Sequence, residues 1–223
     1  CRSHLGDLQF LHGMATKDGE PALATQRRIL MWAELTWKIA SGELRLNQLL
    51  KDIPIAGLTN HFGNSGWAIQ DLLTLGVPPL RPHIRDVAFG SLIHTIGDSF
   101  AAGHVDRLTP KLGRMCLGMP ESRAPEPIRE FHAYNKQNHK LHGNADTGEA
   151  FTQHVLGYRE LYRDPKLVDD LIPHSIGIGR TLRAMLYDQQ LKWDQVRPYL
   201  ACIFDIEDPN RPSSPGGDFQ ITE

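Results

Sequence analysis

The sequence contains no apolar run that could cross a membrane and no excess of charge of either sign. A membrane-spanning helix needs about 20 consecutive, mostly apolar residues, and no run in this chain of 223 residues approaches that length. The formal net charge of −2 argues against a protein that wraps duplex nucleic acid by bulk electrostatic attraction, because neutralising phosphates requires a basic surface. The composition therefore disfavours integral membrane proteins and basic duplex-binding proteins.

Cysteine is also scarce, with only Cys1, Cys116 and Cys202 in the chain. Three scattered cysteines are too few for a disulfide framework, and at most one pair can form. No leader with a charged start and an apolar centre is present, and the first residue is not an initiating methionine. A leader that has been removed is compatible with this pattern, and we expect a secreted or exported protein.

Strict alternation of apolar and polar residues is rare, whereas apolar residues at helical spacing recur along the chain. This periodicity predicts an all-α fold, a compact multi-helix bundle. The length and the hydrophobic content of 40% suit one substantial core. We expect a single domain over 1–208 and, because the run after Arg211 is rich in Pro, Ser and Gly, a flexible tail over 209–223.

The predicted helices are apolar stripes bounded by segments rich in glycine and proline. Their expected ranges are 6–15, 22–40, 67–75, 84–105, 128–143, 149–162, 167–171, 176–191 and 193–204.

The most informative segment carries His94, Asp98 and His104 in an apolar, helical context. On an ideal helix Asp98 lies about 40° from His94, whereas His104 lies about 80° around the other way and nearly three turns along. One metal could not easily take all three residues. The spacing favours two neighbouring metals, with His94 and Asp98 on one, His104 on the other, and Asp98 able to bridge them. Ordinary polar residues of a partly buried helix remain the alternative.

A second cluster follows, in which His142 and Asp146 repeat the pairing of a histidine with a carboxylate four residues later. Residues at this spacing share one helix face. His139 lies roughly 20° from Asp146 on the same helical wheel, so it is either a further ligand or a group that orients the ligands. We prefer the orienting role.

The combined pattern, His94-x3-Asp98-x5-His104 followed by His142-x3-Asp146, resembles the zinc-dependent phospholipase C family. That family shares its fold and a trinuclear zinc site with the single-strand-specific zinc nucleases. The resemblance implies that His94 and Asp98 hold one zinc, with Asp98 also reaching a third. It also implies that His104, His142 and Asp146 hold the remaining zinc, so two or three Zn²⁺ are expected.

The amino-terminal part of the site has two candidate ligands. His4, followed by Asp7, resembles the family stretch that supplies another ligand to the first zinc, whereas His12 aligns as naturally with a histidine of the nuclease branch. The alternative is an amphipathic helix that carries one or both histidines on its polar flank. The family also begins with a tryptophan and further ligands for which no counterpart precedes Cys1. Asp7, His12 or His61 are possible replacements, and the third zinc and the general base stay open.

The expected activity is that of a zinc-dependent phosphodiester hydrolase resembling phospholipase C, in which a metal-activated water cleaves a phospholipid headgroup at a transiently contacted membrane surface. Asp98, as the shared ligand, is the expected catalytic residue. Arg107 is a candidate partner of the substrate phosphate, because a guanidinium fits phosphoryl oxygens bidentately; a helix cap or a surface ion pair is the alternative. His154 and His174 have no ligand partner at metal spacing and are expected to be structural.

Two other functions remain open from the sequence. A single-strand-specific zinc nuclease would stack bases on aromatic residues, for which Phe62, Trp67 or Phe100 are candidates, although nucleic acid is the less favoured substrate. A helical interaction module that retains a relic metal site is the third possibility. The sequence does not determine the oligomeric state.

Overall fold

Helices make up most of the computed structural model, which describes residues 6–64, 66–111, 113–116, 123–163 and 171–221. The content is 54% helix and 10% strand, so the prediction of a mainly helical protein is confirmed, with the addition of a small sheet. The described α-helices are α1 (Ala22–Ala40), α2 (Leu58–Phe62), α3 (Ile69–Thr74), α4 (Ile84–Asp98), α5 (His139–Ala145), α6 (Gly148–Leu161), α7 (Ser175–Arg183) and α8 (Trp193–Ile203). Strands β1 (Val105–Arg107) and β2 (Ile128–Phe131) pair antiparallel. Shorter elements are 3-10 helices at Gln9–His12, Leu50–Asp52, Pro78–His83 and Gly217–Phe219, and a π-helix at Ala184–Asp188.

Helix α1 is the centre of the core and packs against α4 and α8. It starts after Pro21, whose fixed φ of −62° suits a helix start, and it ends before Gly42, whose φ of +76° places it in the left-handed region that favours glycine. Trp37 is fully buried, and its indole Nε1 donates to the carbonyl oxygen of Leu191 at 3.1 Å. Trp37 therefore has a packing role, because its ring is buried and its one polar group is hydrogen-bonded. The predicted range 22–40 is confirmed.

Helix α4 is shorter than the predicted 84–105, because the chain leaves the helix after Asp98. Residues 99–104 turn tightly, with Phe100 N donating to the Gly97 carbonyl at 3.0 Å and His104 N donating to the Ala101 carbonyl at 3.0 Å. Strand β1 follows directly. His104 therefore lies beyond the helix, and its helical-wheel angle does not apply.

The predicted helix over 128–143 is wrong. Its first part is β2, in which Val105 pairs with Phe131 and Asp106 with Glu130. Ile128 and Phe131 are buried while Arg129 between them is exposed. Pairing with β1 satisfies the backbone polar groups of this segment, so tertiary context overrides its helical pattern. Only α5, at the end of the predicted range, is helical.

The other predicted helices differ in how well they fit the structure. The expected helix over 6–15 is a single 3-10 turn, Gln9–His12, which Gly13 ends with φ of +67°. The ranges 67–75, 149–162 and 193–204 correspond to α3, α6 and α8, and 176–191 contains α7 and the π-helix. The predicted helix over 167–171 lies almost entirely outside the described residues.

The segment expected to be a flexible tail is hydrogen-bonded to the body of the protein. Ser213 is buried, its N–H donates to the Glu20 carbonyl at 2.9 Å, and its carbonyl accepts from Gly19 N at 2.8 Å. Ser214 accepts through its carbonyl from Ala133 N at 2.8 Å. The composition of this run does not make it a linker, because its backbone groups have fixed partners. Over the described part, 209–221, the structure therefore has a hydrogen-bonded run at the position of the predicted tail.

A disulfide joins Cys116 to Cys202, across 86 positions of sequence. It connects the loop after β1 to α8, which agrees with the expectation of at most one pair. Among the described residues, we find no helix with the length and apolar character that crossing a bilayer requires.

Candidate metal centre

The first group of potential ligands consists of His12, His94 and Asp98. His94 and Asp98 lie one turn apart on α4, and Asp98 Oδ2 is 3.2 Å from His94 Nε2 and 2.9 Å from His12 Nδ1. The two histidine nitrogens are 3.1 Å apart. Three potential ligand atoms thus converge on one point, which is the arrangement required to bind one cation.

The backbone around His12 holds its side chain against α4. Gly13, in the left-handed conformation, ends the 3-10 turn immediately after His12, and its N–H donates to the Phe10 carbonyl at 3.1 Å. Thr95 on α4 donates through Oγ1 to the Leu11 carbonyl at 2.7 Å. These bonds fix the amino-terminal turn on the helix that carries His94 and Asp98.

The second group consists of His104, His142 and Asp146. Asp146 Oδ2 is 3.2 Å from His104 Nε2 and 3.1 Å from His142 Nε2. The two imidazole rings stack with their centroids 4.7 Å apart, and both are buried. Gly103 allows this approach, because a Cβ at that position would lie 3.0 Å from His142 Nδ1.

One hydrogen bond fixes the proton of His104 and links the two groups. His104 Nδ1 lies 2.7 Å from the carbonyl oxygen of His12, and since a carbonyl only accepts, Nδ1 carries the proton. In the neutral ring, the Nε2 lone pair then points at Asp146 and His142. Histidines that bind metals usually donate their other N–H in this way. The donor set and its orientation therefore fit a metal.

The two groups belong to one centre. His104 Nδ1 is 3.8 Å from Asp98 Oδ2, and the His12 and His104 rings are 6.2 Å apart between centroids. Five of the six residues line one cleft, all except His142; the cleft has a volume of about 650 Å³ and also includes Phe151 and His154. Histidine and carboxylate ligands beside an open cleft are characteristic of catalytic rather than structural zinc sites.

Electrostatic coupling is strongest in the second group. Burial alone would raise the pKa of the Asp146 carboxyl, but the hydrogen bonds that His104 and His142 donate when their Nε2 atoms carry a proton outweigh burial and hold that pKa well below its usual range. Burial disfavours the charged form of His104, yet the hydrogen bond to Asp146 and the charge of Asp98 raise its pKa. The site thus stabilises positive charge beside its carboxylates, which a bound cation would also provide.

The structure brings together six of the predicted ligand residues in two sets, His12 with His94 and Asp98, and His104 with His142 and Asp146. His4 lies outside the described residues. His61, considered as a replacement ligand, instead contacts Asp7 through Nδ1 at 3.1 Å.

Arg107 does not have the environment predicted for a phosphate partner. Its guanidinium donates to the Ser99 carbonyl, the Ser99 hydroxyl, the Glu126 carbonyl and the Ile203 carbonyl, at 2.8 to 3.1 Å. It also stacks over the Phe100 ring at 4.4 Å. Burial lowers its pKa to about 10. Because four of its five N–H donors are committed to the protein, we assign Arg107 a structural role.

His139 acts on the centre only indirectly. It is exposed at the start of α5, and its Nδ1 lies 2.9 Å from the hydroxyl of Tyr134. The Tyr134 ring meets His142 edge-on, with centroids 4.8 Å apart. His139 therefore contacts neither ligand set directly, and Tyr134 is the residue that packs against the ligand ring.

Sequence reasoning missed two residues of the cleft, Phe151 and His154 on α6. The sequence predicts a structural role for His154, because it has no ligand partner at metal spacing. In the structure its Nε2 is buried without a hydrogen-bond partner among the described residues. Burial lowers the pKa of His154 to about 4, and the charges of Arg107 and His174 act in the same direction. The three-residue spacing of Phe151 and His154, which places them on one helix face, is the only sequence signal that could have identified them.

Comparisons with protein families, with curated proteins and with solved structures found no match for this chain.

Proposed function

We propose that this protein is a zinc-dependent phosphodiester hydrolase whose site resembles that of phospholipase C. The proposal rests mainly on one observation: two sets of two histidines and one aspartate contact each other, between His104 and Asp98, inside a single open cleft. Adjacent sites of this composition are suited to an in-line displacement at phosphorus.

Each residue has a role that follows from its contacts. His12, His94 and Asp98 would hold one zinc, and His104, His142 and Asp146 the other. Bound zinc ions supply Lewis acidity to the phosphoryl oxygens and lower the pKa of a coordinated water toward about 7. Asp98, 3.8 Å from His104, lies at the junction and is our choice for the shared carboxylate. The His12 carbonyl keeps the proton of His104 on Nδ1, so Nε2 would be available as the ligand atom.

The three aromatic residues that the sequence offered as base-stacking platforms do not form one beside the ligand sets. Of the aromatic residues considered as base-stacking platforms, Phe62 and Phe100 are buried. Trp67 is exposed but is not among the residues that line the cleft. A nuclease needs accessible aromatic faces beside its metals, so these three residues give that alternative little support. Phe151, which lines the cleft and is 40% exposed, is the aromatic residue there that a base could stack on.

The organisation of the site supports an enzyme rather than a relic. A relic has no requirement for an oriented His104 or for a backbone turn that holds His12 against α4, and both are present. The Cys116–Cys202 disulfide is consistent with the exported location that we propose, because disulfides persist in oxidising compartments.

Metal analysis combined with a substrate comparison tests the proposal. We expect purified protein to hold at least two zinc ions per chain and to hydrolyse short-chain phosphatidylcholine in preference to single-stranded DNA. His104→Ala should lower kcat/KM by about 100-fold or more. His83→Ala, which removes an exposed histidine outside the cleft, is the matched control and should retain activity. Hydrolysis of DNA alone would show that the substrate is single-stranded nucleic acid rather than phospholipid. Full activity without metal would overturn the proposal.

A further inference from the structure

Helix α4 carries an apolar stripe beside its metal-ligand stripe. Phe89, Ile93 and Gly97 follow one another at four-residue intervals and lie on one face, and His94 and Asp98 form the neighbouring face. At 100° per residue, Gly97 lies about 60° around the helix from His94. The apolar stripe therefore meets the ligand stripe at Gly97.

Helix α7 and the segment after it form the opposite wall of a groove along this stripe. A Cβ on Gly179 would lie 3.8 Å from Cδ1 of Ile93, and the Tyr187 ring packs edge-on against Phe89 with centroids 5.9 Å apart. Gly179 faces Ile93, whereas Tyr187, which is later in the chain, faces Phe89, which is earlier on α4. The segment that begins with α7 therefore runs antiparallel to α4. Ile176, at the start of α7, therefore belongs to the end of the groove nearest the metals.

The groove is continuous with the metal cleft. Gly97 and Phe151 line both spaces. The groove has a volume of about 350 Å³, and its lining is almost entirely apolar, with the guanidinium-bearing side chains of Arg180 and Arg183 along its edge. From Gly97 to Phe89 it extends about 12 Å, from the rise of 1.5 Å per helical residue. No side chain at Gly97 or Gly179 obstructs it.

We propose that this groove binds a hydrocarbon chain of the substrate, so that an acyl chain lies between α4 and α7 while the phosphodiester reaches the two ligand sets. The inference rests on the proposed function and adds that the groove determines which chain lengths the enzyme prefers. A narrow apolar groove that opens directly into a metal cleft suits a flexible alkyl chain, and burial of each methylene should improve binding about fourfold. The aliphatic stems of the two arginines extend the apolar wall, and the Arg183 guanidinium lies over the Tyr187 ring, 5.6 Å from its centroid.

A substrate series tests the groove. We expect kcat/KM for monomeric dibutanoyl, dihexanoyl and dioctanoyl phosphatidylcholine to rise about fourfold for each methylene that enters the groove. Gly179→Leu, which fills the groove, should remove this dependence on chain length. Ile176→Ser, at a position 37% exposed, should weaken it without a change in folding. Leu156→Ser, at a position 49% exposed outside the groove, is the matched control and should preserve it.

Binding of alkylphosphonates separates this inference from the proposed function, because their carbon–phosphorus bond replaces the hydrolysable ester. Calorimetry with butyl-, hexyl- and octylphosphonate should give an affinity that increases with chain length in the natural protein and not in Gly179→Leu. If affinity depends on chain length but no phosphodiester is cleaved, the groove is supported and the proposed function fails. Cleavage at a rate independent of chain length, with equal phosphonate affinities, would overturn the groove and leave the proposed function intact.

Discussion

At the scale of single residues, the candidate centre depends on which ring nitrogens would face a metal. The 2.7 Å hydrogen bond from His104 Nδ1 to the His12 carbonyl selects Nε2 for the second ligand set. His12 thus contributes twice, with its imidazole in the first set and its backbone in the orientation of the second. A ligand in one set is therefore coupled to the geometry of the other.

Gly103→Ala should selectively weaken zinc binding at the proposed second site, that of His104, His142 and Asp146. The new Cβ would lie 3.0 Å from His142 Nδ1, so the ring must shift by a few tenths of an ångström from its position against His104. We expect zinc affinity at that site to fall by about 10- to 100-fold, as it does when orienting groups are lost. Competition titration with a chelator measures this affinity. Gly148→Ala, where a Cβ meets nothing within 4 Å, should leave it unchanged, and equal losses in both variants would contradict the account.

His154→Phe should make the protein less sensitive to acid. Burial lowers the pKa of His154 from 6.5 in the unfolded chain to about 4 in the fold. Neutral His154 therefore contributes stability that is fully present above pH 6.5 and is lost as the pH falls from 6.5 to 4. The loss in the free energy of unfolding amounts to at most about 3 kcal/mol. Denaturant unfolding of both proteins across this range should show a smaller pH dependence in the variant. Parallel curves would contradict the assignment.

The two His-x3-Asp pairs could be predicted from the sequence, because residues four apart on a helix share a face whatever surrounds them. The choice of His12 as the third member of the first set could not, since it depends on the turn at Gly13 and on Thr95, 82 positions away by number from that glycine. Arg107 shows the converse: its residue type suggested phosphate binding, but only the fold reveals the four acceptors around it.

At the scale of elements, the turn after α4 is what creates the centre. A continued helix would carry His104 nearly three turns away from His94, whereas the turn over 99–104 returns it to within 3.8 Å of Asp98. Local periodicity predicts helix over both 84–105 and 128–143. The pairing of β1 with β2 is a long-range contact that no local pattern encodes, and for this reason both boundaries were wrong.

Arg107→Lys should destabilise this turn without a specific effect on substrate binding. Lysine has three N–H donors on a single nitrogen and cannot reach all four acceptors of the Arg107 guanidinium, which are the Ser99 carbonyl and hydroxyl and the Glu126 and Ile203 carbonyls. The lost charged hydrogen bonds should lower the free energy of unfolding by about 2 to 4 kcal/mol. Thermal and denaturant unfolding measure this loss. Arg129→Lys, in an exposed ion pair with Asp106 on the same sheet, should cost less than about 1 kcal/mol. A lowered kcat/KM with unchanged stability would instead restore Arg107 as a phosphate partner.

At the scale of the whole molecule, segments far apart in sequence close around the centre. The carboxyl-terminal run holds Ala133 and Glu20 through Ser214 and Ser213, and the Cys116–Cys202 disulfide fixes the loop after β1 to α8. Helical content and a single core follow from composition and periodicity. The ordered carboxyl-terminal run does not, because a sequence rich in Pro, Ser and Gly is compatible with a linker until its backbone partners are known.

The central claim is that two metals lie side by side, each in a set of two histidines and one aspartate. Crystals of the zinc-loaded protein, measured on both sides of the zinc absorption edge, locate the metal directly by anomalous scattering. We predict one peak among His12, His94 and Asp98 and a second among His104, His142 and Asp146. Zinc-loaded crystals without peaks at these two positions would contradict the account.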